Sequence, residues 1–494
     1  MKTADVISFA DGRYRAMLDP SDEYEARINR GAEFVSRRVS MDGRLRGVTS
    51  KMAAVGGPMS EDISQRLRQS FTRYHGCGVG EVLSDRESAA IVATRLASLS
   101  RGFSGVRLEL LVLLAEMLNL RVLPRIPRLG SAGANADLVP LSYLAAAVAG
   151  EGEVSYLGRV VPADEGLSAA RLKPIDLRPK EALALMSGTG VMTALGCLGW
   201  ERARRFSRFS TALVGIALDV TGVSRQHLDP RIDALKPHRG ALAVSEWLRD
   251  DGEFGSKDPP PPNAAPELLR AAGNVLGVQV YAATFAGRTL DVELNSVCDD
   301  VVIHPTTGEL LLGGNFYGGA VTLALDGLKS AVFTTASYLE RVLAMVCDPA
   351  TNGGLPLDLA DPSLTASHGF RAMRGVAAGL LGDLAMLTAP AALRARLASR
   401  EPGEIASMGT HAARDCIMAL EVAETISAVA ALALCQAVDL RDGQGCHRRT
   451  KAVYGAVRQL VPRIQADRAQ DRDITSVLEL LRAGLLPIGQ LSGM

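Results

Sequence analysis

This chain of 494 residues has few of the features that would point directly to a function class. Aromatic residues make up 4% of it, although hydrophobic residues make up 47%. A core poor in Phe, Tyr and Trp must be built mainly from Ala, Leu and Val, which suits closely packed helices better than a β-sandwich. The composition therefore predicts an all-α protein, and the length predicts several domains or one long helical assembly.

The sequence also lacks an excess of either charge. The 54 Lys and Arg residues balance the 54 Asp and Glu residues, so net charge does not favour nucleic acid or an anionic membrane as partner. The seven cysteines are scattered without Cys-x-x-Cys spacing, which predicts reduced thiols rather than disulfides or a zinc site. Without a secretory signal or a run of about 18 apolar residues, the sequence predicts a cytoplasmic protein with a small-molecule or protein partner.

A loop of small residues at 130–140 (GSAGANADLVP) is the feature around which the chain is organised. Its glycines allow a tight backbone turn, and Asp137 is placed to cap the apolar helix that follows. Taken alone, the segment is typical of a corner between two helices. After it, residues 153–156 and 159–161 predict a short strand pair, one of few β elements.

Further motifs follow one another along the chain. They are HGCGVG at 75–80, SRGFSGVR at 100–107, KEALALMSGTG at 180–190, ELNSVCDD at 293–300, GGNFY at 313–317 and SMG at 407–409. In this order and spacing they resemble the aromatic amino acid ammonia-lyases, the family that includes histidine and phenylalanine ammonia-lyase. The resemblance covers about residues 40 to 445.

The resemblance implies an all-α fold of the fumarase/aspartase (ammonia-lyase)-like type, a long helical bundle. It implies a homotetramer in which several chains share each active site. The chain then divides into an N-terminal domain at 1–205 with the active-site loops, a central long-helix bundle at 206–445 and C-terminal helices at 446–494.

The three residues that would form the family's prosthetic group are changed. In the resembled enzymes Ala-Ser-Gly cyclises into the electrophile methylidene-imidazolone, and the matching residues here are Ala134, Asn135 and Ala136. Asn135 has no hydroxyl to lose from its β-carbon, and the methyl group of Ala136 hinders the backbone geometry that precedes cyclisation. We expect no methylidene-imidazolone and no other cofactor. The histidines lack the spacing of metal ligands, so no metal is expected either.

The resemblance also carries over a set of charged site residues. Arg46 stands where the family has its tyrosine base, and because a guanidinium stays protonated it would bind an anion instead. Arg270 matches the arginine that holds the substrate carboxylate. Lys51 is expected on a solvated loop face. His75 is the expected proton carrier, because an imidazole exchanges protons near neutral pH.

Uncharged side chains complete the expected site. Tyr317 and Asn135 are expected to act with His75 in catalysis. Tyr317 offers a hydroxyl that could donate or accept a proton, and Asn135 offers a hydrogen-bond donor. Asn315, Phe316 and Ser187 join the two arginines in substrate binding, and Ser187 replaces an asparagine of the family. The family's glutamine and glutamate are also replaced, by Gly190 and Gly403.

Two functions fit these residues. In the first, the protein is a lyase-like enzyme of specialised metabolism that catalyses addition–elimination or cyclisation on a carboxylate-bearing small molecule, by acid/base catalysis without methylidene-imidazolone. In the second, it is a catalytically inactive homologue that binds a ligand or serves as a scaffold in a hetero-oligomer. The retention of His75, Asn315 and the glycine loops favours the enzyme.

Overall fold

The structure is a computed structural model, and it describes most of the chain. The described residues are 1–42, 70–131, 133, 137–178, 180–223, 225–251, 266–364, 367–395, 405–443 and 446–491. Several residues named in the sequence analysis lie outside these ranges. They are Arg46, Lys51, Ala134, Asn135, Ala136 and Gly403.

Helices dominate the described residues, which confirms the all-α fold. They are α1 (Thr3–Ala10), α2 (Asp22–Asp42), α3 (Asp85–Leu99), α4 (Leu108–Asn119), α5 (Leu138–Val148), α6 (Ala163–Ala169), α7 (Glu181–Met186), α8 (Gly190–Thr221), α9 (Pro230–Leu235), α10 (Arg239–Asp251), α11 (Glu267–Arg270), α12 (Ala272–Leu294), α13 (Gly319–Val346), α14 (Arg371–Leu387), α15 (Gly409–Asp439), α16 (Arg448–Leu460) and α17 (Asp471–Ala483).

The strands are short and form small antiparallel sheets. They are β1 (Val79–Val82), β2 (Leu123–Pro124), β3 (Pro127–Leu129), β4 (Glu153–Tyr156), β5 (Arg159–Pro162), β6 (Val301–His304) and β7 (Glu309–Leu312). β1 pairs with β3, β4 lies between β2 and β5, and β6 pairs with β7. The strand pair expected from the sequence is confirmed as β4 and β5.

The chain forms two compact units, and neither is one consecutive stretch. The first unit comprises residues 1–198, 287–325 and 390–414, and the second comprises 199–286, 326–389 and 415–494. The long helices α8, α12, α13 and α15 each contribute residues to both units. The three consecutive domains expected from the sequence remain a prediction.

Helix α3 lies in the core of the first unit, where α1 and α4 pack against it. Ser84 begins this helix with a capping box, because its Oγ accepts the Glu87 N–H at 3.3 Å while the Glu87 carboxylate accepts the Ser84 N–H at 2.8 Å. After the helix, Gly102 adopts a φ of +83°, which lets the chain turn towards α4. The helix interruption expected at 100–107 is therefore confirmed.

Two helical segments are long and apolar enough to cross a membrane by length and composition alone. They lie in Glu181–Thr221 and in α15, and 94% and 78% of their apolar windows are buried inside the protein. Apolar helices buried to this degree are typical of a protein interior.

Candidate active site

Asp137 anchors the downstream end of the small-residue loop. Its carboxylate accepts hydrogen bonds from Ser131 Oγ at 2.9 Å, from the Met192 N–H at 3.1 Å and from the Thr410 hydroxyl. The side chain is fully buried, and burial raises the pKa of Asp137. Asp137 is the N-cap residue of α5, as expected, but its side chain makes no capping bond to that helix. Its carboxylate instead bonds Ser131 within the loop, and Met192 and Thr410 far along the chain.

Gly133 anchors the upstream end of the same loop. With its φ at +65°, a Cβ there would lie 3.0 Å from Ser407 Oγ and 3.1 Å from Met408 N. The Gly133 carbonyl accepts the Ser407 N–H at 3.3 Å, and the Ser407 carbonyl accepts the Thr322 hydroxyl at 2.7 Å. The SMG motif therefore packs directly on the loop, at a position that favours glycine. We call Gly133 and Asp137, with their contacts, the loop frame.

The turn at 187–190 lies against this frame. The Asp137 N–H donates to the Gly188 carbonyl at 3.2 Å, and Gly188 has a φ of +106°. Ser187 follows the last residue of α7 and is only 2% exposed. Beside it, the Thr189 hydroxyl donates to the Glu293 carboxylate at 2.5 Å. The bond between Thr189 and Glu293 joins the motif at 180–190 to the motif at 293–300.

The loop at 313–319 adjoins the same turn. A Cβ on Gly318 would clash with Met192 Sδ and would lie 3.2 Å from Thr189 Cγ2, so the two segments are in direct contact. The Asn315 amide donates to the Val297 carbonyl at 3.0 Å. Tyr317 is 43% exposed, and Phe316 is half-buried. The structure therefore gathers Ser187, Asn315, Phe316 and Tyr317 in one region of the first unit.

His75 is the last residue of a helical stretch at 70–75. Its Nδ1 lies 2.9 Å from the Phe71 carbonyl oxygen. Because a carbonyl oxygen only accepts, this contact assigns the proton to Nδ1 and leaves Nε2 as the acceptor of the neutral ring. The rings of Phe71 and Tyr74 pack edge-on against the imidazole, at centroid distances of 4.6 and 4.8 Å.

The segment that follows His75 contacts the start of the small-residue loop. The Gly78 N–H donates to the Tyr143 hydroxyl at 3.0 Å. A Cβ on Gly130 would lie 3.2 Å from Gly78 Cα, so the two backbones pack closely. The motif at 75–80 thus belongs to the same region as the loop frame.

Arg270 belongs to the second unit, where it is the exposed last residue of α11. Arg46 and Asn135 lie outside the described residues. In the ranges that are described, no group of three or more His, Cys, Asp or Glu side chains is placed to hold a metal ion.

Sequence reasoning missed a buried charge cluster beside the turn at 187–190. Lys180 Nζ lies 2.7 Å from Asp299 Oδ2, and the two side chains are 0% and 1% exposed. Arg95 is also fully buried, and its guanidinium donates to the Ala184 carbonyl near the end of α7. Burial lowers the pKa of both Lys180 and Arg95, and the charge of Asp299 is the largest influence that opposes this shift.

The sequence carried only a weak signal for this cluster. Lys180 and Asp299 both lie in motifs that the sequence analysis singled out, but 119 positions separate them. Nothing in the local pattern of either motif predicts that they meet.

Comparison with known proteins agrees with this arrangement over nearly the whole chain. Residues 1–459 match a family model described as aromatic amino acid lyase. The chain is 32% identical over 491 residues to a histidine ammonia-lyase of Caldanaerobacter subterraneus subsp. tengcongensis, covering 97% of this chain and 94% of that protein.

Solved structures show the same fold. The crystal structure of histidine ammonia-lyase from Trypanosoma cruzi matches with a TM-score of 0.89 at 27% identity, covering 99% of this chain and 93% of that one. Tyrosine aminomutase from Streptomyces globisporus matches with a TM-score of 0.87 at 28% identity, covering 98% and 96%.

Proposed function

Since this chain belongs to the aromatic amino acid lyase family, we propose that it is a lyase-type enzyme that works without methylidene-imidazolone on a carboxylate-bearing small molecule. Curated relatives that match it are named histidine ammonia-lyase. We propose that this chain departs from their chemistry and catalyses addition–elimination or cyclisation by acid/base catalysis, in specialised metabolism.

The contrast between the loop frame and the three residues inside it supports this proposal. Gly133 and Asp137 keep close contacts on both sides of residues 134–136. Inside the frame, Asn135 carries an amide and no β-hydroxyl, so it has no water to lose in forming an alkene. The residues present do not fit the prosthetic group, so no step of the proposed reaction uses it.

In this proposal His75 moves the proton. The bond from Nδ1–H to the Phe71 carbonyl fixes the ring and leaves Nε2 to accept a proton from the substrate. Tyr317, exposed in the same unit, supplies a second hydroxyl that donates or accepts a proton. Asn135 serves as a hydrogen-bond donor to a substrate carbonyl or carboxylate.

Two arginines bind the acidic part of the substrate in this proposal. Arg46 and Arg270 each offer a planar set of N–H donors that matches a carboxylate. Ser187, Asn315 and Phe316 are the further substrate-binding residues of this proposal. Two cations suit a substrate with two acidic groups, or one that develops enolate charge during the reaction.

Intact-mass measurement tests the absence of the prosthetic group. The purified chain should have the mass of its sequence, 52.2 kDa. A mass lower by two waters would refute the argument made from Asn135. The matched control restores the family's triad with Asn135→Ser and Ala136→Gly together. If the loop frame is competent, this double variant should lose two waters where the parent does not.

Variants of His75 and Arg270 test the catalytic roles once a ligand is found. A thermal-shift screen of amino, dicarboxylic and aryl-acrylic acids identifies a ligand, because binding to the folded state raises the unfolding temperature. His75→Ala should leave affinity nearly unchanged and reduce turnover by about 100- to 10,000-fold. Arg270→Ala should weaken binding by about 2–5 kcal/mol.

The control for both variants is His368→Ala, which removes an exposed imidazole of the second unit. It should bind ligand and turn over like the parent. If His75→Ala and Arg270→Ala also behave like the parent, the proposed site is wrong.

One observation favours the second candidate, a catalytically inactive ligand-binding or hetero-oligomer scaffold. Ser187 replaces an asparagine that takes part in the chemistry of the family, and Ser187 is only 2% exposed. Under this second candidate, the buried Ser187 hydroxyl contributes to packing rather than to substrate contact. In that case ligand binding is detectable and no compound from the screen is turned over.

We further propose that the chain forms a homotetramer, and exposed residues of the second unit on two helices support this. Helix α12 exposes Val278, Tyr281 and Phe285 by 46%, 66% and 45%, at spacings that place them on one face. Helix α14 exposes Gly375, Gly379 and Gly382 at similar spacing, with Met386 80% exposed. Apolar and small-residue faces of this kind are suited to close packing against other helices.

Light scattering coupled to size exclusion tests the assembly. The parent should elute as a tetramer at micromolar concentration, and Tyr281→Lys should shift it towards smaller species because a charge would be buried in the interface. The matched control is Leu235→Lys, which changes an 87% exposed side chain on the short helix α9. A stable monomer of the parent would contradict shared active sites.

A further inference from the structure

A cluster of arginines lies on α8 within the second unit. Arg204, Arg205 and Arg208 are close enough to perturb one another, and Glu201 is the carboxylate that offsets them. Among the described residues, the carboxylate of Glu201 thus offsets the charges of three guanidinium groups. The neighbouring Arg202 differs, because Glu424 accepts two hydrogen bonds from it at 3.0 and 2.7 Å.

A cavity of about 230 Å³ opens beside this cluster. Two of the three arginines line it together with the end of α17 and the segment that follows. The lining residues are Arg205, Arg208, Leu481, Gly484, Leu486, Pro487, Ile488, Gly489 and Gln490. None of these lining residues is acidic. The carboxylate of Glu201 pairs with Arg205 from outside the lining, but among the described residues no carboxylate pairs with Arg208.

The donors of these arginines are only partly used. Arg208 Nη1 lies 3.1 Å from Gln490 Oε1 and 3.5 Å from the Gly489 carbonyl, and its buried Nε has no partner among the described residues. Burial lowers the pKa of Arg208, and the charges of Arg204 and Arg205 lower it further. The surroundings of Arg208 therefore disfavour its positive charge, and a bound anion would stabilise that charge.

Arg205 is held in place from two sides. Its guanidinium bonds Glu201 at 2.5 Å and also donates to the Arg482 carbonyl. Gly484 ends α17 with a φ of +72°, and a Cβ there would lie 3.6 Å from Arg205 Cζ. The backbone turn at Gly484 thus packs against the guanidinium and fixes it at the cavity wall.

We propose that this cavity binds a small phosphate-bearing anion through Arg205 and Arg208. A guanidinium presents its N–H groups in a planar fork that matches phosphate oxygens, and Glu201 offsets only one of the two arginine charges on the cavity wall. The cavity is smaller than the roughly 300–1,000 Å³ of pockets for drug-sized ligands. Inorganic phosphate or the head group of a phosphomonoester fits this size class.

Calorimetric titration of the full chain with inorganic phosphate tests the proposal. The parent should bind phosphate saturably, whereas acetate at the same ionic strength should bind far more weakly. Arg208→Gln should weaken phosphate binding by about 10- to 100-fold, because it removes a charge-assisted contact. Arg208→Lys keeps the charge without the planar fork and should fall between the two.

The matched control is Arg472→Gln, which makes the same change at an exposed position of α17 that does not line the cavity. It should bind phosphate like the parent. The proposal is overturned if the parent shows no saturable binding, if acetate binds equally well, or if Arg208→Gln and Arg208→Lys both bind like the parent. None of these outcomes depends on the catalytic role proposed for His75.

Discussion

Replacing Asp299 by Asn should be one of the most destabilising single changes in the first unit. Asp299 lies 2.7 Å from Lys180 Nζ, and both side chains are excluded from water, with exposures of 1% and 0%. Asp299 is also the main opposing charge for the buried guanidinium of Arg95. Asp299→Asn therefore leaves two buried cations without their principal counter-charge.

The expected magnitude follows from this asymmetry. Removing one partner of a buried ion pair costs about 3–5 kcal/mol, because the other charge stays buried and uncompensated. Two cations are stranded here, so we expect Asp299→Asn to cost about 5 kcal/mol. Lys180→Met should cost less, about 3 kcal/mol, because Arg95 still offsets the charge of Asp299.

The pH dependence has a defined sign. Burial already lowers the pKa of Lys180 below its ordinary value of 10.5, and removing Asp299 lowers it further. Between that lowered pKa and the unfolded value, the folded state binds fewer protons than the unfolded state. The stability of the Asp299→Asn variant should therefore rise with pH across this window and fall as the pH drops.

Urea unfolding followed by circular dichroism measures both effects, at one protein concentration and at about pH 7 and about pH 9.5. The matched control is Glu151→Gln, which breaks the Arg73–Glu151 pair of similar length, 2.8 Å, whose side chains are 62% and 32% exposed. An exposed pair contributes about 0–1 kcal/mol. A cost of Asp299→Asn no greater than that of Glu151→Gln, or a stability of the Asp299→Asn variant that falls with rising pH, would refute the role assigned to this buried charge cluster.

Three further substitutions test the loop frame and its surroundings. Asp137→Ala should lower the free energy of unfolding by about 2–4 kcal/mol, because it leaves three donors without their buried acceptor; urea unfolding measures this. Gly133→Ala should lower the melting temperature more than Gly152→Ala, since both have positive φ but only at Gly133 would the Cβ meet neighbouring atoms. Arg107→Lys should cost about 1–3 kcal/mol in urea unfolding, because it breaks a two-point contact with Glu181 at 2.9 and 2.8 Å.

The sequence by itself determined the helical class, the helix interruption at 100–107, the strand pair of β4 and β5, and the motifs that identify the family. These features are local. Capping residues such as Ser84, turn glycines such as Gly102 and the spacing of apolar residues act within a few positions of the chain. The residues that determine these features are therefore close to one another in the sequence.

Only the tertiary structure decided how the site is held together. The sequence predicted Asp137 as a helix cap, yet its carboxylate bonds Thr410, which lies 273 positions away. Lys180 meets Asp299 across 119 positions, and Ser187 proves to be buried. A buried carboxylate or ammonium group takes whichever partner the packing of distant segments brings to it, because leaving it unpaired away from water is costly. That choice is made by long-range packing, which no local pattern of residues encodes.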